Sequence, residues 1–171
     1  DAFNTYSWFL KRSTNDLVVW VVDNGVNYYH PDLVNNMWSP TSCKKDGVDI
    51  DCEHGYDFFH DTATPLPNSS FGGLNTSFHW THVAWIIGAE MNNSKGIVGV
   101  NPFVKIAALK AWNGKTITSA ASIKAINFAR ENNIKLLNSF ATALTELEKR
   151  YKNNDTSCTD IVIPPGTGFF V

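Results

Sequence analysis

Asp23, His79 and His82 are the residues of this 171-residue chain whose types and surroundings suit acid–base or metal chemistry. Asp23 follows the apolar run Leu17–Val22 and precedes Asn24-Gly25. A carboxylate at the mouth of a buried strand is partly desolvated and aimed at whatever faces it. An Asp before Asn-Gly is equally an ordinary turn residue. His79 and His82 stand three apart at the start of an apolar segment, so one helix face presents both. That spacing suits a metal pair, which needs a third ligand that is not evident here. It also suits a catalytic base, His79, beside a buried structural His82. Asp46, Asp49 and Asp51 alternate in a Gly-containing loop, which either chelates calcium or lies solvated; it lacks the distal Glu of an EF-hand. Cys43 and Cys52 flank that loop and either pair, leaving Cys158 over, or stay reduced.

The elements around these residues follow from apolar patterning. Leu17–Val22 reads as a strand buried on both faces. Tyr56–Phe59 is a weaker strand. His82–Ala89 is apolar and reaches helix length with His79–Thr81 added. Val104–Trp112 is another buried strand. Ser119–Glu131 is an amphipathic helix with Ile123, Ile126 and Ala129 at spacing three, capped by Thr118 or Ser119. Lys135–Phe140 reads as a strand; Leu144, Leu147 and Tyr151 mark one face of a further helix; Asp160–Ile163 is a strand entering Pro164-Pro165-Gly166. This alternation predicts an α/β fold with three layers, a mostly parallel twisted sheet flanked by helices. Asp23 then sits at the carboxyl end of a strand, where such sheets build their sites.

Composition narrows the class. Apolar residues make up 43% and charged residues 18% of the chain, with net charge −2. That suits a folded globular protein and gives no electrostatic reason to bind nucleic acid. No apolar run is long enough for a membrane-spanning helix. Sequons at Asn68, Asn75, Asn92 and Asn154 point weakly to the secretory pathway. Asp1 and Val171 both read as cuts through a longer protein.

Several stretches together resemble the subtilisin family of serine proteases. Val21-Val22-Asp23-Asn24-Gly25 with His30-Pro31-Asp32-Leu33 resembles its catalytic-Asp motif. His79-Trp80-Thr81-His82-Val83-Ala84-Trp85 resembles its catalytic-His motif, H-G-T-H-V-A-G. Gly96-Ile97-Val98-Gly99 matches the next landmark. Leu137-Asn138-Ser139-Phe140 looks like the substrate-binding strand, and Pro164-Pro165-Gly166-Thr167-Gly168 sits where the family has A-A-G-N-x-G. The resemblance runs in order from about Leu17 to Gly168, so residues 1–171 are expected to form the amino-terminal part of such a peptidase domain, truncated on its carboxyl side.

The resemblance implies peptide-bond hydrolysis by an Asp-His-Ser triad. Asp23 fixes the tautomer of His79 and stabilises the imidazolium that forms when His79 takes the proton of a serine. No G-T-S-M-A motif, in which the family places that serine, occurs among these residues. The chain is therefore expected to be inactive as it stands, and the alternative is a non-catalytic subtilisin-like domain that binds peptides. Ser139, Phe140 and Ala141 are expected to pair with an extended polypeptide. Thr167 takes the place of the oxyanion-hole Asn, a donor whose loss costs about 10²–10³ in kcat. Trp80 and Trp85 replace glycines, Phe78 replaces another, and Asn24 replaces Ser or Thr. Indoles there either overpack a close-packed helix contact or lie partly exposed on a relocated helix. The family also implies calcium, held by Asp32, the Asn93 side chain and the carbonyls of Lys95 and Ile97. An unpaired edge of the sheet is expected to favour self-association.

Overall fold

A computed structural model describes residues 17–68, 77–112, 118–134, 136–139 and 168–170. Seven strands and two α-helices are present among them: β1 Val18–Asp23, β2 Cys43–Lys45, β3 Val48–Ile50, β4 Gly55–Asp57, α1 Ser77–Gly88, β5 Lys105–Lys110, α2 Ser119–Glu131, β6 Leu136–Ser139 and β7 Gly168–Phe170. The segments around Leu144–Tyr151 and Asp160–Ile163 lie outside the described residues.

Five strands form one sheet in the order β4-β5-β1-β6-β7, and every neighbouring pair is parallel. β1 lies at the centre because its side chains are apolar on both faces. Trp20 and Val22 pack with Ala125, Phe128 and Ala129 of α2 on one side. Val19 and Val21 pack with Ala84 of α1, Val26, Leu33 and Ile106 on the other. Alternate residues of one strand thus feed two cores, which is the three-layer arrangement expected. Trp20 is fully buried, edge-on to Phe128 at 5.4 Å. α2 spans the residues its periodicity predicts, and its cap is Thr118, whose Oγ1 accepts from the Ala121 amide at 3.2 Å.

The acidic stretch after Cys43 is a hairpin. Asp46 and Gly47, with φ of 53° and 78°, make the turn between β2 and β3, as an Asp-Gly pair does in a two-residue loop with both central residues left-handed. Asp49 pairs with Lys44 at 3.1 Å and Asp46 with Lys45 at 3.4 Å, all at the surface except the half-buried Lys45 stem. Cys43 and Cys52 form a disulfide that closes this excursion.

Candidate active site

Asp23 ends β1 and is 6% exposed. Its Oδ1 accepts from the Asn24 amide at 2.8 Å. Its backbone carbonyl accepts from the amides of Ala111 (2.8 Å) and Trp112 (3.2 Å), which ties the end of β1 to the segment leaving β5. Gly25, with φ of 92°, lies so close beneath the Pro65–Leu66 backbone that a Cβ would strike the Pro65 carbonyl. Burial pushes the Asp23 carboxyl up to about 8, against the opposing pull of the Asn24 amide. At neutral pH it is therefore mostly a neutral acid.

His79 lies in the first turn of α1, which is positioned on the loop after β1 by the Asn27 amide donating to Thr81 Oγ1 at 3.0 Å. The structure brings Asp23 and His79 to neighbouring elements but does not join them. Asp23 bonds to Asn24, whereas the exposed His79 ring stands edge-on against Trp80, with centroids 4.1 Å apart. Trp80 is buried, 5% exposed, and meets Trp112 at 4.9 Å. The indole that replaces the motif's glycine thus fills space beside the strand ends, and the imidazole rests on it. His82 is exposed rather than buried, and has no third metal ligand with His79 among the described residues.

Ser139 ends β6 opposite Val22 in register, one residue short of Asp23, so the expected peptide-binding strand reaches the same end of the sheet. Phe140, Ala141 and Thr167 lie outside the described residues.

A feature not expected from sequence underlies this end of the sheet. Asp57 and Lys110 stand opposite each other in register, and Lys110 is opposite Asp23 on its other side. The Lys110 Nζ pairs with Asp57 at 3.0 Å, both side chains being buried. It also donates to the Leu66 carbonyl (2.9 Å) and Asn68 Oδ1 (2.8 Å), holding the segment that covers Gly25. Burial works against the Asp57 charge, but the His60 ring and amide and the Lys110 ammonium hold its carboxyl below the usual range.

Asp32, expected to ligate calcium, is 1% exposed. Its carboxylate accepts from the Trp85 indole, from Asn93 Nδ2 at 2.6 Å and from the Ile97 amide at 3.1 Å. The Asn93 oxygen is taken by the Lys95 amide at 3.0 Å. Calcium requires six to eight oxygens, and three N–H donors closing on one carboxylate do not fit it. Desolvation opposes the Asp32 charge; the bonds from Asn93, Trp85 and Ile97 outweigh it and lower the carboxyl.

Residues 14–163 match the model of the Subtilase family, Peptidase_S8. The chain is 33% identical over 141 residues to the Thermophilic serine proteinase of Bacillus sp. (strain AK1), covering 81% of this chain and 29% of the relative. It is 28% identical over 132 residues to the Halolysin-like extracellular serine protease Nep of Natrialba magadii, covering 77% and 22%. Fervidolysin from Fervidobacterium pennivorans, a keratinolytic enzyme related to subtilisin, superposes with a TM-score of 0.53 at 28% identity over 76% of this chain and 18% of that one. The chain spans less than a third of the length of these curated relatives. With Asp23 at the central strand end, His79 on the adjoining helix and the matched region covering most of its length, the chain belongs to the subtilase family of subtilisin-like serine proteases.

Proposed function

We propose that residues 1–171 are the amino-terminal part of a serine endopeptidase domain and supply the acid–base half of its triad. The observation that carries this reading is the placement of Asp23, desolvated at the end of the central strand, beside the helix whose first turn bears His79. Once the imidazole turns off Trp80 and donates one N–H to Asp23, the carboxylate form is favoured and the tautomer is fixed. The other ring nitrogen then takes a serine proton as the hydroxyl attacks the peptide carbonyl. Substrate would extend from the end of β6 at Ser139, beyond its pairing with β7; by the family resemblance Phe140 and Ala141 share that role and Thr167 takes the oxyanion role. With no serine motif of the family's kind among its residues, this chain does not cleave peptides by itself.

One observation favours a second reading, a non-catalytic domain that binds peptides. His79 rests on Trp80 instead of on Asp23, whose Oδ1 accepts from the Asn24 amide. A fluorophosphonate probe and a peptide-cleavage assay separate the two. They are applied to the 171-residue chain and to any longer natural product that contains it. The peptidase reading expects labelling and cleavage only in a longer product, both lost in His79→Ala. Labelling of the short chain, or an inert longer product that still binds peptide, overturns it.

The compartment consistent with this reading is the secretory pathway. The Cys43–Cys52 disulfide needs an oxidising environment to persist, and the Asn92 sequon is exposed. No helix among the described residues is long and apolar enough to cross a membrane. Calcium has no place at Asp32 in this reading. The outer edge of β7, which has no neighbouring strand among the described residues, is the surface through which copies associate.

A further inference from the structure

The Asp32 carboxylate is closed by donors from two directions. The Trp85 indole comes from the last half of α1, and Asn93 and Ile97 come from the loop after it. The Asp32 carbonyl also accepts from the Glu90 amide at 2.9 Å. One residue thus binds the helix end and the following loop to the segment before the 3-10 turn Val34–Asn36. A cation at that carboxylate would have to displace all three N–H groups and bring its own oxygens. The space is also filled: at Gly96, φ 44°, a Cβ would strike the carboxylate and the Trp85 ring.

We propose that in this chain the Trp85 indole stands in for a divalent cation, so that loop 90–97 is locked onto Asp32 by hydrogen bonds and its stability is independent of calcium. The substitution is specific to this position. The family motif has glycine there, which has no side chain to donate. A buried carboxylate must be neutralised or hydrogen-bonded, and N–H bonds to an ionised acceptor are roughly twice as strong as neutral ones. Three of them satisfy Asp32 without a metal. The inference goes beyond the peptidase reading and does not depend on it.

The test uses the 171-residue chain, melted with excess chelator and again with millimolar calcium, and titrated with calcium chloride in a calorimeter. Wild type is expected to melt at one temperature in both and to give no binding heat. Trp85→Phe keeps a ring but removes the N–H, and is expected to melt lower by roughly 3–12 °C. Calcium raising the wild-type melting temperature, or Trp85→Phe melting like wild type, overturns the proposal. If Trp85→Phe does not fold, the indole resonance of Trp85 decides. A downfield indole proton unmoved by calcium supports the clamp, and one that shifts on adding calcium overturns it.

Discussion

Replacing Asp23 by Asn should stabilise the protein increasingly as pH rises, because folding holds this carboxyl protonated where the unfolded chain does not. The folded group titrates at about 8 against 3.8 in the unfolded chain, raised by burial and only partly offset by the Asn24 amide. For an acid raised in this way the native state binds the extra proton, so its contribution is complete below the unfolded value and is lost as pH climbs toward the folded one. Between about pH 5 and 7.5 one such group lowers stability by about 1.4 kcal/mol per pH unit, or about 3 kcal/mol across the interval. The lowered carboxyls of Asp32, Asp57 and Asp61 act at lower pH and leave this window clear. The substituted carboxamide would keep an oxygen to accept from the Asn24 amide, at the cost of burying an extra amide donor worth about 1–3 kcal/mol if unpaired. That offset does not change with pH, so the slope and not the absolute difference is diagnostic. Urea unfolding followed by tryptophan fluorescence, repeated across this range for both proteins, measures it. A difference between Asp23→Asn and wild type that stays flat from about pH 5 to 7.5 refutes a neutral Asp23. It would mean that His79, or another partner, already ionises it.

Two further outcomes are expected. Lys110→Met leaves Asp57 buried without its cation, a loss of about 3–5 kcal/mol and roughly 6–20 °C in Tm. Part of it should return in the double variant with Asp57→Asn, and calorimetry of the three proteins checks both. The wild-type Asp57 contribution is present above the unfolded value and lost as pH falls through its lowered folded value; Lys110→Met moves that acid loss upward. Copies joined through the β7 edge should give a mass that rises with concentration in light scattering, and a monomer at all concentrations would count against the edge contact.

What was legible in the sequence depended on how local its cause is. α2 follows from Ile123, Ile126 and Ala129 and a cap three residues before Ala121, all within one segment. β1 follows from the continuous apolar run Val18–Val22, which has no helical period. Asp23 and His79 stand out in the sequence because their neighbours resemble the family's motifs. The β2–β3 hairpin carried its own signal, Asp46-Gly47, but the alternating carboxylates drew attention to metal chemistry instead. Lys105 and Lys110 look alike in Val104–Trp112, yet one is half-buried and the other wholly buried. The difference rests on Asp57, far away in the chain. Trp85 read as excess volume because its partner, Asp32, belongs to another element. His82 was expected inside, but α1 turns it toward solvent.

The central position of β1 also sets a timetable for the chain's birth. Val18 pairs with Lys105, 87 residues later, and Val19 with Leu136 later still. At about 5–20 residues per second, ribosomal synthesis needs roughly 4–17 s to supply the first of those partners. Through that interval the segment Val18-Val19-Trp20-Val21-Val22 is made but unpaired, and it has the β-branched, uncharged character of an aggregation-prone strand. The strand that later carries Asp23 into the site is thus the one most in need of shielding while the rest of the sheet is being made.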